Sequence, residues 1–229
     1  MVPVKFADLG RRPYQEIWDF QEDCLQKVIS QKIASRTDPD IHPDLFLFFV
    51  EHDPVFTLGK SGKEDHLLVD QTELKTRGVD YHKINRGGDI TFHGHGQIVG
   101  YPIWDLDQIY TDIHRYLREI EEVVILTLQD FGISNAGRSE GLTGVWVGEE
   151  KICAIGVRTS RWVTMHGFAL NVNTDLSYFN LIVPCGIQDK AVTSMEKILG
   201  YRLHPEDVKA SLKQNFEKVF PIMLQAYEV

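Results

Sequence analysis

Three features of the 229-residue chain predict an α+β fold: a single domain of mainly antiparallel sheet flanked by helices. Short apolar runs end in turn residues. Two long stretches repeat apolar residues at helical spacing, and no composition break, repeat or low-complexity segment divides the chain. The first helical stretch covers 14–33, with Tyr14, Ile17, Trp18, Leu25, Val28, Ile29 and Ile33 on one stripe behind Pro13, a residue suited to a first helical turn. Cys24 falls beside this stripe and reads as structural. Leu45-Phe46-Leu47-Phe48-Phe49-Val50 is a continuous apolar run closed by Glu51-His52-Asp53-Pro54, the pattern of a buried strand. Val55-Phe56-Thr57-Leu58 forms another, ended by Gly59. Residues 109–131 make the second long helix, with Ile109, Ile113, Leu117, Ile120, Val124 and Leu128 on one side and Gly132 as its stop. Val145-Trp146-Val147 and Lys151-Ile152-Cys153-Ala154-Ile155, joined by Gly148-Glu149-Glu150, have the form of a hairpin. A strand over 164–172 follows. Thr193-Ser194-Met195-Glu196 has the spacing of a capping box and opens a short helix, and His204-Pro205-Glu206 starts a last one.

The composition bounds the function. Hydrophobic residues make up 43% and charged residues 25% of the chain, as in ordinary globular proteins. No apolar run reaches the length of a membrane span, so no membrane association is expected. The first residues, Met1-Val2-Pro3-Val4-Lys5, lack the charged head and apolar stretch of a secretory signal. Three cysteines, at 24, 153 and 185, do not form a disulfide framework, which points to a cytoplasmic, reducing setting. The formal charge of −9 argues against nucleic acid as a partner, because phosphate contacts need a basic footprint. An acidic protein partner would need a local basic rim, and Arg158-Thr159-Ser160-Arg161 or Lys60-Ser61-Gly62-Lys63 could supply it; both are equally well read as solvated loop charges.

Chemistry concentrates in a few places. Arg86-Gly87-Gly88-Asp89-Ile90-Thr91-Phe92-His93-Gly94-His95-Gly96-Gln97 carries four glycines, whose missing side chains would let backbone N–H groups approach a ligand. It matches neither the P-loop nor the dinucleotide-binding pattern. The competing reading is a tight turn with a bulge. On a strand, His93 and His95 would share a face and suggest a metal, with His166 as a distant third ligand, but no carboxylate accompanies them and no metal is assigned. Pro184-Cys185-Gly186 sets a thiol at a sharp turn, where it would be presented as a nucleophile, although free cysteines are commonly small buried hydrophobes. Lys151 alone reads as a hairpin lysine. Beside a thiol, it would favour the attacking thiolate.

Taken in order, these segments resemble one family. His52-Asp53-Pro54-Val55-Phe56-Thr57-Leu58-Gly59, the Arg86–Gln97 segment, Gly144-Val145-Trp146-Val147, Lys151-Ile152-Cys153-Ala154-Ile155-Gly156, His166-Gly167-Phe168-Ala169-Leu170-Asn171-Val172 and Pro184-Cys185-Gly186 look like the octanoyl-[acyl carrier protein]:protein octanoyltransferases. The resemblance covers roughly residues 50–200. It implies one catalytic domain over 1–229 with the fold of biotin and lipoate protein ligases, and no cofactor. It also implies that Cys185 carries the acyl group as a thioester and that Lys151 acts with it as a dyad. Substrate contacts would come from Arg86, Gly87, Gly88, Asp89, Ile90, Thr91, Phe92 and His93, from Ala154, Ile155 and Gly156, and from Gly167, Phe168 and Ala169. The implied donor is octanoyl-acyl carrier protein. The implied acceptors are lipoyl domains of 2-oxoacid dehydrogenase complexes and the glycine cleavage H protein. The chain departs from the family with His95 in place of a usual Pro, Phe92 in place of a frequent Tyr, and Cys153 in place of a small residue.

The alternative on the same scaffold is an ATP-dependent lipoate–protein ligase, which needs the glycine-rich segment and the lysine but not a nucleophilic cysteine. Two other classes are weighed: an inactive binding protein for acyl carrier or lipoyl domains, which would tolerate loss of Cys185 or Lys151, and a metal-dependent hydrolase resting on His93 and His95 alone.

Overall fold

A computed structural model describes residues 1–183 and 191–229. The chain opens with β1 (Val2–Arg12) and α1 (Tyr14–Ala34), then β2 (Phe46–His52) and β3 (Val55–Leu58). A short α2 (Gln71–Thr76), capped by Asp70, leads to β4 (Asp80–Lys83), β5 (Ile90–His93) and β6 (Gln97–Ile103). Next come α3 (Ile113–Asp130), β7 (Ala136–Ser139), β8 (Leu142–Val147), β9 (Glu150–Ser160) and β10 (Val163–Asn171). The chain ends with α4 (Met195–Leu199), α5 (Pro205–Val219) and β11 (Ile222–Ala226).

The strands form an eight-stranded sheet, ordered β11-β1-β2-β6-β10-β9-β8-β7, and a three-stranded sheet, β4-β3-β5. In the large sheet, β1 runs parallel to both of its neighbours and every other pair is antiparallel; in the small sheet only β3–β4 is parallel. The expected mainly antiparallel α+β architecture is therefore present. The β2 run shows why it is buried on both faces. Phe46, Phe48 and Val50 meet Ile17, Leu25, Val28 and Ile29 of α1, while Leu45, Leu47 and Phe49 meet α3 and α5 on the other side. A strand in that position is apolar at every residue because helices cover both faces. Burying each of these side chains contributes about 2 kcal/mol.

The predicted elements shift at their ends for physical reasons. α3 starts at Ile113 rather than at 109, because Asp112 accepts the Arg115 N–H and sets the N-cap there. Gly132, at φ +83°, follows it in the left-handed position that ends helices. The cap of α4 is Ser194, not Thr193: the Ser194 hydroxyl takes the Lys197 N–H at 3.1 Å. Ile33 is 43% exposed at the end of α1, so it does not belong to the buried stripe. Neither β6 nor the edge pair β1–β11 announces itself in the sequence. β6 carries Pro102 inside a central strand, a placement strands normally avoid. It is tolerated because the β6–β10 ladder stops at Gly100↔Phe168; past that point the Thr164 hydroxyl donates to Pro102 C=O at 2.9 Å and accepts the Trp104 N–H at 3.0 Å.

Candidate active site

Where the small sheet faces the β6–β10–β9 region of the large one, a cavity of about 330 Å³ remains, within the size range of small-molecule pockets. Its walls are largely apolar, with Ile90, Val99, Ile155, Phe168 and Ala169 prominent. Most of the predicted site residues line it: Arg86, Gly88, Asp89, Ile90, Thr91 and His93 from the loop and β5, Lys151, Ala154, Ile155 and Gly156 from β9, and Gly167, Phe168 and Ala169 from β10. Segments as far apart in sequence as 86–93 and 151–156 thus share one enclosure.

Two predicted contacts lie behind the wall. Phe92 stacks on Tyr178, with centroids 4.5 Å apart and planes 6° apart, and meets Phe179 edge-on in the core under the small sheet. An apolar ring suits that place, so its lack of a hydroxyl leaves no polar partner unmet. Gly87 gives its N–H to Val157 C=O at 3.0 Å, so that group is committed to the sheet and is not offered to an oxyanion.

Gly96 of the segment and Gly156 on the opposite wall serve the chain's own packing. Gly96 holds φ +77°, and a Cβ there would lie 2.3 Å from Asn173 C=O. On the opposite wall, a Cβ on Gly156 would come within 2.9 Å of Gly87 C=O, so the missing side chain seats the Arg86–Gly87 backbone against β9. The tight-turn reading of this segment accounts for these contacts. Arg86, 8% exposed, holds the turn from inside: Nη2 donates to Thr57 C=O at 2.7 Å and to Thr57 Oγ1 at 3.0 Å, and Nη1 donates to Gly87 C=O at 2.9 Å.

His93 and His95 part company. His93 is buried, with Nδ1 at 2.9 Å from Gln97 Oε1, whereas the His95 ring is half exposed and lies 3.3 Å from Asp53. They share no face, since the strand ends at His93. Burial pushes the His93 imidazole down to about 3, with nearby His52 acting in the same direction. Burial likewise lowers His166 to about 3, helped by Arg86, and His52 to about 4. All three are neutral near pH 7. Their tautomers follow from their partners: His52 Nδ1 donates to Arg12 C=O, leaving Nε2 to accept the Tyr101 hydroxyl at 2.8 Å. His166 sits at φ +59° in mid-strand, its N–H held by Gln21 Oε1 at 3.0 Å and its Nε2 by Asn85 Oδ1 at 2.9 Å.

Lys151 stands at the start of β9, its Nζ 4.7 Å from the centre of the Trp146 ring. Its main chain is bonded on both sides: its N–H donates to Ala191 C=O, and its C=O accepts the Thr193 N–H, each at 2.9 Å. Val192 runs parallel beside it as a one-residue bridge. Cys185 lies outside the described residues. The two described cysteines are buried thiols; burial raises Cys24 to about 11 and pushes Cys153 up further. Cys153 belongs to the apolar core. Of the proposed basic rim, Arg158 is engaged with Glu22 at 2.5 Å. Sequence reading overlooked Tyr14 and Tyr101 in the wall, which carry no local signal, and gave no role to Gln97 and Asn171, which stand within motifs already singled out.

The site and fold together define a class. Residues 13–217 match the model of the lipoyl protein ligase A/B catalytic domain, and the chain belongs to that family. Within it the chain is 52% identical to an octanoyltransferase of Cytophaga hutchinsonii, over 97% of this chain and 94% of that one. It is 51% identical to an octanoyltransferase of Flavobacterium johnsoniae, over 95% and 96% of the two chains. At the level of fold alone, it superposes on a bipartite lipoate protein ligase from Thermoplasma acidophilum with a TM-score of 0.73, 18% identity, and coverage of 100% of this chain and 88% of the other. The biotin protein ligase of Aquifex aeolicus follows with a TM-score of 0.55 and 12% identity, over 93% and 69% of the two chains.

Proposed function

We propose that this chain, as one catalytic domain over 1–229, is an octanoyltransferase that moves an octanoyl group from octanoyl-acyl carrier protein to a lysine of lipoyl domains, through a thioester on Cys185. Acceptors of this kind occur in 2-oxoacid dehydrogenase complexes and the glycine cleavage H protein, and the reaction belongs in the cytoplasm. The single observation that supports it most is the setting of Lys151: an amine on the rim of a largely apolar cavity, bonded through its main chain to the stretch that follows the Cys185 segment. The other flank of that segment is tied nearby. Val183 N–H donates to His66 C=O at 2.8 Å, and the His66 ring meets Asp89 of the cavity wall at 2.6 Å.

In the first step the Cys185 thiolate attacks the donor's thioester carbon. The carrier's sulfur leaves with the bonding pair and takes the proton of the Lys151 ammonium, which leaves that amine neutral for the second step. The apolar walls, Ile90, Ala154, Ile155 and Ala169 among them, take the acyl chain out of water. In the second step a lysine amine of the acceptor attacks the acyl-enzyme carbonyl, Cys185 leaves as thiolate, and the amine proton passes to Lys151. Exchange between two thioesters is nearly balanced and the final amide is more stable, so ATP is not consumed.

Intact mass spectrometry after mixing with octanoyl-acyl carrier protein, without ATP, tests this. One octanoyl adduct is expected, lost in Cys185→Ser. Lys151→Arg should fold and transfer at least 100-fold more slowly, because Arg keeps its charge but cannot exchange a proton. No adduct, together with ATP-dependent modification of a lipoyl domain, would establish the ligase instead.

A further inference from the structure

Asn171 ends β10 with its side chain buried between β6 and the 191–193 stretch. Its Oδ1 accepts from Gln97 Nε2 at 2.9 Å, and its Nδ2 donates to Thr193 C=O at 3.0 Å. Both amides are oriented by groups that cannot donate. Phe92 C=O receives Gln97 Nε2 at 3.2 Å, so Gln97 turns its oxygen to His93 Nδ1; Thr193 C=O demands the NH₂ of Asn171. Thr193 N–H then donates to Lys151 C=O. Hydrogen bonds therefore link His93 through Gln97 and Asn171 to the main chain of Thr193, which is bonded in turn to the main chain of Lys151. All three side chains are buried, at 7%, 2% and 4% exposure, where a misdirected amide is costly and the alternative orientation is excluded.

We infer that Asn171 is a positioning residue for Lys151: its amide sets the place of the 191–193 stretch on which the Lys151 main chain hangs, and so where the Lys151 amine reaches into the cavity. This rests on the reading of Lys151 as the proton-transferring group. In this role Asn171 acts through Lys151.

The test compares Asn171→Ala, which removes both bonds, with Gln97→Glu. The latter presents an oxygen to Asn171 Oδ1, and so favours turning the Asn171 amide away from Thr193. Steady-state transfer from octanoyl-acyl carrier protein to a lipoyl domain is measured as a function of pH, with melting temperature alongside. Expected in both is a kcat lower by on the order of 10- to 100-fold, a donor KM within about twofold of native, and a displaced pH profile of kcat. A folded Asn171→Ala with native kcat, a KM that rises in step with the fall in kcat, or a pH profile that keeps its position would overturn the proposal. Unfolding of both variants would assign these hydrogen bonds to stability alone and overturn it as well. Lys151→Arg in the same assay separates the two levels. Native turnover there removes the Lys151 reading, whereas an inactive Lys151→Arg beside a native-like Asn171→Ala removes only the positioning role.

Discussion

The two walls of the cavity are built differently. The floor, β6 and β10, is buried at every residue and locked by side-chain packing on both faces: Gly100 lies under the Phe168 ring and Gly167 lies against the Gly100 carbonyl. The roof is a loop and a three-stranded sheet. Its Arg86–Gly88 turn is held by main-chain bonds to 59–61 and to Val157, and by the Arg86 guanidinium. The contrast teaches that the floor is fixed by packed shape, whereas the roof depends in addition on a few directional bonds, so that a lost donor costs more in the roof than in the floor.

Acid should break both walls at once, and with the largest effect. His52 on β2, His93 on the roof and His166 on the floor hold folded values of about 4, 3 and 3, below their ordinary value of 6.5. The unfolded chain therefore takes protons first as the pH falls. Stability is full above about 6.5 and declines towards 3, by about 1 kcal/mol per pH unit for each histidine. A urea midpoint that stays level from pH 7 to 5 would contradict this. Gly167→Ala breaks the floor alone. Its Cβ would lie 2.1 Å from Gly100 C=O and 2.7 Å from Pro102 Cδ, main-chain and ring atoms that cannot yield. A loss of about 3 kcal/mol is expected in denaturant titration. Arg86→Lys breaks the roof alone, since an ammonium cannot keep the fork to Thr57 and Gly87; about 2 kcal/mol should be lost, with donor KM raised more than kcat is lowered. Cys153→Ala sharpens the comparison from behind the floor. It should cost about 1 kcal/mol and leave transfer at its native rate, since the buried, high-pKa thiol belongs to the core.

Much of this was legible in the sequence, and the gaps have identifiable causes. The apolar run of β2, the stripes of α1 and α3, the start of α5 and the β8–β9 hairpin follow from local pattern, and they stand within a few residues of where it puts them. β1 and β11 pair across nearly the whole chain length, and β6 carries both Gly100 and Pro102; each is stabilised by neighbours that no local window contains. Most motif residues do meet in one cavity. Phe92 and Gly87, within the same motif, face the core and the sheet instead, because side chains on a strand alternate and the Gly87 N–H is taken by Val157 of β9.

By itself the sequence determined the fold class, the main elements and the set of segments that carry chemistry, because apolar period and turn residues act over a few neighbouring positions. Tertiary structure alone decided which glycines lie against backbone, that His93 and His95 point to different surroundings, and that Cys153 is a buried core thiol. It also decided that Asn171 and Gln97 form a directed path to Lys151. Those outcomes depend on which donor meets which acceptor where distant segments cross, and burial then makes the choice costly to reverse.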